Sequence, residues 1–92
     1  MTPETAIKRQ IKDYLNAKGI FHWYNMQGLG AYKGIPDMFM MVKGNPVALE
    51  IKTEKGKLSD HQIEFKKRYE ENGGTYLVAR GYEDIEKYLD GK

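Results

Sequence analysis

Apolar residues near the N-terminus recur with helical spacing. The positions that fall on one stripe are Ile7, Ile11, Tyr14 and Leu15. Thr2 can cap a helix and Pro3 suits its first position, while Gly19 is typical of a left-handed residue just beyond a helix end. The pattern therefore predicts a first helix that begins after Thr2 and ends before Gly19.

Three segments with strand character follow. Residues 20–25 are rich in aromatic side chains, and two apolar runs lie at 37–42 and 46–53 on either side of a predicted turn at 43–45. Both runs are apolar on both faces, which predicts central strands of a sheet. Counting from the turn places Val42 roughly opposite Pro46 and Asp37 opposite Ile51, within one residue.

The second half of the chain alternates helix and strand. Ser59 and Gln62 form a capping-box pattern that predicts a helix ending near residues 72–74, followed by a strand at 75–79 and a helix at 82–89. The order α-β-β-β-α-β-α predicts a single α/β domain over residues 1–92, with a mixed β-sheet flanked by helices. The connection from 46–53 to 75–79 is long enough for a parallel crossover.

Composition narrows the class of protein. The chain has 92 residues and no cysteine, so it carries no disulfide and no thiolate metal site. No apolar run approaches the length of a membrane span, so we expect a cytoplasmic protein that does not bind a membrane. We also expect no organic cofactor. The formal charge of +2 neither requires nor excludes nucleic acid. A domain this small is marginally stable alone, which favours a homodimer.

One polar cluster interrupts the two central strands. Asp37 begins the first of them, and Glu50 and Lys52 share a face of the second because side chains two apart in a strand point the same way. Neighbouring carboxylates repel each other unless a cation separates them, and oxygen ligands favour Mg²⁺ or Mn²⁺. The Ile51 carbonyl, between the two side chains, could add a ligand. The alternative is a plain cross-strand ion pair.

The sequence resembles the VRR-NUC branch of the PD-(D/E)xK nuclease superfamily. The residues that carry the resemblance are Gly34-Ile35-Pro36-Asp37, Glu50-Ile51-Lys52 and Gln62. It implies the restriction-endonuclease-like core and Mg²⁺- or Mn²⁺-dependent hydrolysis of phosphodiester bonds in DNA. By motif match, Asp37 and Glu50 are metal ligands and Lys52 is catalytic. Freestanding phage and bacterial members resemble Holliday-junction resolvases and act as dimers, and a phage protein would work in the host cytoplasm.

For several further residues, the sequence leaves alternative roles open. Glu4 matches an acidic residue that this superfamily often uses at the metal, or it only favours the helix dipole. Gln62 belongs to the active site, to the capping box, or to both. The loop lysines Lys33, Lys55 and Lys57 bind DNA phosphates or are simply solvated.

Together these observations predict a metal-dependent, structure-selective DNA endonuclease that acts on branched DNA such as Holliday junctions. Two alternatives stay open. One is a non-catalytic nucleic-acid-binding module on the same fold, and the other is an endonuclease directed at RNA.

Overall fold

The computed structural model describes residues 2–91 and contains three helices and four strands within that range. Their order is α-β-β-β-α-β-α, as the sequence predicts: α1 (Pro3–Ala17), β1 (His22–Tyr24), β2 (Met38–Val42), β3 (Asn45–Ile51), α2 (Asp60–Glu71), β4 (Thr75–Ala79) and α3 (Tyr82–Asp90). Within residues 2–91, no helix is long and apolar enough to cross a membrane.

The four strands form one mixed sheet in the order β1-β2-β3-β4. The first three strands pair antiparallel, and β4 joins β3 in parallel through α2. The parallel crossover is therefore confirmed. It brings the start of α2 close to the end of β3, since the connection between them spans only residues 52–59.

The hydrophobic core lies between one face of the sheet and the helices α1 and α3. Its buried members are Ile11, Leu15, Met38, Met40, Val47, Leu49, Ile51, Ala79 and Ile85. Helix α2 packs on the other face over β4. Consequently β3 is buried on both faces, while in β2 the side chains facing α2 are only partly covered.

The hairpin between β2 and β3 differs from the prediction by one residue. Its turn has two residues, Lys43 and Gly44, with φ of 51° and 83°, and Val42 pairs with Asn45 instead of Pro46. Positive φ at both positions belongs to the tight turns that match the twist of paired strands, which is why the turn is shorter than predicted. The register then runs to Met38 opposite Leu49, and its extension places Asp37 opposite Glu50.

Side-chain caps fix the start of two helices. Thr2 accepts a hydrogen bond from the Thr5 backbone N–H at α1. At α2, Ser59 and Gln62 exchange the two hydrogen bonds of a capping box. Each cap satisfies backbone donors that a helix leaves free, and such a cap contributes about 1 kcal/mol. The α2 cap matters most, because it also fixes the side chain of Gln62.

Candidate active site

Glu50 is the buried acid at the centre of the site. It lies near the end of β3, and only 3% of its surface is exposed. Gln62 Nε2 donates to Glu50 Oε2 at 3.1 Å, and Lys52 Nζ lies 3.6 Å from the same oxygen. The other oxygen, Oε1, is buried and has no hydrogen-bond partner within residues 2–91. A buried carboxylate oxygen without a partner is costly, so this atom points to a missing ligand.

Asp37 is held next to this acid by the backbone of β3. Its Oδ2 accepts a hydrogen bond of 2.8 Å from the Ile51 N–H. Its own carbonyl accepts from the Asn25 N–H, which continues the pairing of β1 with β2. Both contacts orient the carboxylate at the end of the sheet where Glu50 and Lys52 project. The structure thus brings together the three residues that the strand spacing predicted.

The electrostatics of Asp37 and Glu50 favour a bound cation between them. The pKa of Glu50 is raised to about 8, first by burial and then by the charge of Asp37, while Lys52 opposes the rise. Without a cation, Glu50 therefore holds a proton at neutral pH. A divalent ion between the two acids would remove the repulsion and ionise Glu50, as bound cations do for their ligands.

Gln62 closes the capping box and also contacts Glu50. Its Oε1 accepts from the Ser59 N–H at 2.8 Å as part of the capping box, while its Nε2 donates to Glu50. The helix cap therefore dictates the orientation of the amide, and the amide in turn orients the acid.

Gly34 lets the loop before Asp37 approach the start of α2. Its φ is +78°, and a Cβ at this position would overlap the carbonyl oxygen of His61. Only glycine tolerates both the backbone conformation and the contact. The Gly-Ile-Pro-Asp sequence thus ties Asp37 to the helix that carries Gln62.

Lys8 is a member of the site that the sequence reasoning missed. Its Nζ lies 3.4 Å from Asp37 Oδ1 and 3.8 Å from Glu4 Oε2. Lys8 thus pairs with both acids, and Glu4 is connected to Asp37 through it. The Glu4–Lys8 spacing of four residues on one helix face was the available signal, but nothing in the sequence placed that face beside Asp37.

A second missed residue, Arg80, shapes the lysine loop after β3. Its Nη1 donates to the carbonyls of Thr53, Glu54 and Gly56, the last at 2.7 Å. These hydrogen bonds hold the segment that carries Lys55 and Lys57, both exposed. Lys33 is also exposed, in the loop before Asp37. All three predicted phosphate-binding lysines are therefore accessible around the acids.

Tyr76 is a third residue that the sequence did not single out. It is buried on β4, and its hydroxyl has no hydrogen-bond partner within residues 2–91. Burial raises its pKa, and the charges of Glu50 and Asp37 add to this effect.

The donor set fits one kind of metal. Within residues 2–91, no group of three or more His, Cys, Asp or Glu side chains is placed to hold an ion. Two carboxylates and a backbone carbonyl are too few for a closed protein cage, but Mg²⁺ usually takes one or two carboxylates and keeps several waters. The unpartnered Glu50 Oε1 is the observation that supports such a ligand.

A cavity of about 400 Å³ lies at the other end of the sheet. Its lining includes Val42, Pro46, Tyr69 and Thr75, at the end of β2, the start of β3, the end of α2 and the start of β4. Asp37 and Glu50 lie at the opposite ends of β2 and β3. The cavity is therefore separate from the cluster of acids.

Comparison with known proteins supports the fold. The sequence matches no protein-family model and no curated protein. Its structure is similar to a solved structure described as "VRR_NUC domain", with a TM-score of 0.81 and 22% sequence identity, over 98% of this chain and 97% of that one. At this identity the likeness concerns the fold and not the chemistry. The chain therefore has the VRR-NUC fold that the Gly-Ile-Pro-Asp and Glu-x-Lys motifs predicted.

Proposed function

We propose that this protein is a metal-dependent, structure-selective DNA endonuclease that hydrolyses phosphodiester bonds in branched DNA such as Holliday junctions. The observation that carries the proposal is the unpartnered, buried Oε1 of Glu50 in a cluster with Asp37 and Lys52. In structural clusters, most buried polar oxygens have a hydrogen-bond partner. The similarity to a VRR_NUC domain is consistent with nuclease chemistry.

Asp37, Glu50 and the Ile51 carbonyl would hold Mg²⁺ or Mn²⁺, and Glu4 would take part through water. A bound ion of this type supplies Lewis-acid stabilisation of the phosphoryl group and makes water a better nucleophile at neutral pH. Gln62 keeps the Glu50 carboxylate oriented through its 3.1 Å hydrogen bond. Lys8 holds Asp37 when no ion is present, because its ammonium lies 3.4 Å from Oδ1.

Lys52 is the group that acts on the substrate. Its ammonium lies next to the acids, and its side chain is only 16% exposed. In that position it can contact the scissile phosphate and stabilise charge that develops in the transition state. It can also orient the attacking water, although acting as a base would require a lowered pKa.

The exposed lysines around the acids supply affinity for the DNA backbone. Lys33 precedes Asp37, while Lys55 and Lys57 follow Lys52 in the loop that Arg80 braces. Contacts of this kind release counterions, so binding should weaken steeply with salt.

A homodimer would present two such sites to a branched substrate. Three aromatic residues at the edge of the sheet are exposed. Phe21 is 71% exposed, and Trp23 and Tyr24 on the edge strand β1 are also open to solvent. Exposed aromatic side chains are enriched at protein interfaces. Sedimentation should therefore give a dimer mass at micromolar concentration, and a monomer mass unchanged by junction DNA would exclude the dimer.

A substrate panel tests the activity. We expect labelled junction DNA to be cut with Mg²⁺ or Mn²⁺ and to stay intact in EDTA. Faster cleavage of RNA of the same structure would favour the RNA-directed alternative. Tight binding of every DNA without cleavage under either metal would favour the non-catalytic binding module.

A further inference from the structure

The loop between β1 and β2 presents apolar side chains to solvent beside the site. Met26 is 88% exposed and Leu29 is fully exposed. Leu29 lies between Gly28 and Gly30, whose φ values are +106° and +88°, so the backbone turns on both sides of it. Exposing two such side chains forgoes the free energy that their burial would contribute. They therefore suit a role in binding.

The base of this loop is fixed to the residues that precede Asp37. Asn25 Nδ2 donates to the Pro36 carbonyl at 2.9 Å, and Gln27 Nε2 lies 3.4 Å from the Ile35 and Pro36 carbonyls. The loop tip that carries Met26 and Leu29 is thus connected through three hydrogen bonds to the residues that precede Asp37, a proposed metal ligand.

The far side of the loop rests on α2. The Tyr32 ring packs edge-on against Phe65, with 5.7 Å between the ring centroids. Two residues later, Gly34 contacts the backbone of His61. Both ends of the loop are therefore held in place, while a side chain added at Gly28 or Gly30 would meet only open space.

The charge around the tip fits a polyanion. Residues 25–36 of the loop contain no acidic residue, and they include the exposed Lys33. Thirteen acidic residues occupy the rest of the chain, so their absence here is specific to the segment. A loop with exposed apolar side chains, a lysine and no acidic residue matches nucleic acid, where phosphates attract the lysine and bases accept the apolar groups.

We propose that Met26 and Leu29 form an apolar wedge that enters the base stack of DNA at a branch point or strand interruption, next to the scissile phosphate. The inference rests on the proposed nuclease function and adds a reason for structural selectivity. Inserted Leu and Met side chains unstack base steps in other DNA-binding proteins at a cost of a few kcal/mol. That cost is smallest where pairing is already interrupted, so the wedge selects branched DNA over continuous duplex.

The test measures unstacking without cleavage. Wild-type protein is added to saturation, in EDTA, to junction DNA that carries 2-aminopurine at the branch point, and the fluorescence of the probe is recorded. We expect a rise of at least twofold over free junction. The double variant Met26→Ser/Leu29→Ser should bind with a Kd within about fivefold of wild type but give no rise. Both side chains are exposed, so these changes leave the core intact.

Ile63→Ser is the matched control. Ile63 is exposed on α2, whose N-terminal turn carries Gln62, but lies outside the loop. It should retain the full fluorescence change. In Mg²⁺, the double variant should cut the junction at least tenfold more slowly than both wild type and the control.

Several results would overturn the wedge. One is an equal rise in fluorescence with wild type and with the double variant. Another is the absence of any rise with either protein at saturation. A third is a change in the oligomeric mass of the double variant, which would make the loop a protein interface. A wild-type protein that unstacks the probe but cuts no DNA under any metal would instead refute the nuclease and leave the wedge supported.

Discussion

Replacing Glu50 by Gln should stabilise the metal-free protein as the pH rises. Glu50 is 3% exposed, and burial raises its pKa to about 8, above the ordinary value of 4.5. At pH values between 4.5 and about 8, Glu50 is therefore protonated in the folded protein but ionised in the unfolded chain. Stability must then fall with increasing pH across that window, because the unfolded state binds fewer protons than the folded one.

The size of this pH dependence follows from the single proton on Glu50. A full proton difference changes the free energy of unfolding by about 1.4 kcal/mol per pH unit. Between pH 5.5 and pH 7.5 the one-proton limit is about 2.5 kcal/mol, and coupling of Glu50 to Asp37 and Lys52 reduces it. The Gln side chain does not titrate, so the difference in stability between the variant and wild type should grow by about 1–2 kcal/mol over this range.

Urea unfolding in EDTA at several pH values measures this difference. With a slope of about 1–3 kcal/mol per molar urea for a small domain, the midpoint of Glu50→Gln should move by roughly 0.3–2 M relative to wild type over this pH range. Glu64→Gln removes the same charge from an exposed position on α2 and should show no such pH dependence. A stability difference for Glu50→Gln that is constant from pH 5.5 to pH 7.5 would refute the reasoning.

Three further predictions concern neighbouring residues. Lys52→Ala should slow single-turnover cleavage about 100-fold with little change in DNA affinity, whereas Lys55→Ala should mainly weaken binding and lower the salt slope by about one; the reverse pattern would make Lys52 a phosphate clamp. Lys8→Gln should tighten Mn²⁺ binding about fivefold in calorimetry, because an ammonium next to Asp37 opposes a second cation; unchanged or weaker affinity would contradict this. Gly34→Ala should lower stability in urea by more than about 2 kcal/mol, since strain at positive φ adds to the overlap with α2; a neutral effect would contradict the close approach.

Much of the fold was predictable because local rules and long-range packing agree. The apolar stripe of α1, the capping box of α2 and the strand period of β3 each specify one structure. The convergence of Glu50 and Lys52 also follows from the strand period alone. The hairpin register could not be predicted in this way. It depends on the positive φ of Lys43, a conformation that is uncommon for residues other than glycine.

The rest of the site depends on contacts between elements distant in sequence. Lys8 reaches Asp37 from α1, and Arg80 reaches the loop after β3 from the end of β4. Neither residue belongs to a motif, and nothing in the sequence distinguishes them from the other lysines and arginines of the chain. Tyr76 likewise resembles an ordinary aromatic strand residue until its burial near Glu50 is known.

The central claim is that Asp37 and Glu50 hold a divalent cation that supports DNA cleavage. Single-turnover cleavage of saturated junction DNA, with Mg²⁺ titrated from zero, tests it most directly when wild type is compared with Asp37→Asn. We predict a saturable dependence of the wild-type rate on Mg²⁺, no cleavage in EDTA, and a loss of at least 100-fold in the variant with its junction affinity retained. Cleavage by wild type in EDTA, or a normal rate for Asp37→Asn at the same Mg²⁺ concentration, would contradict the account.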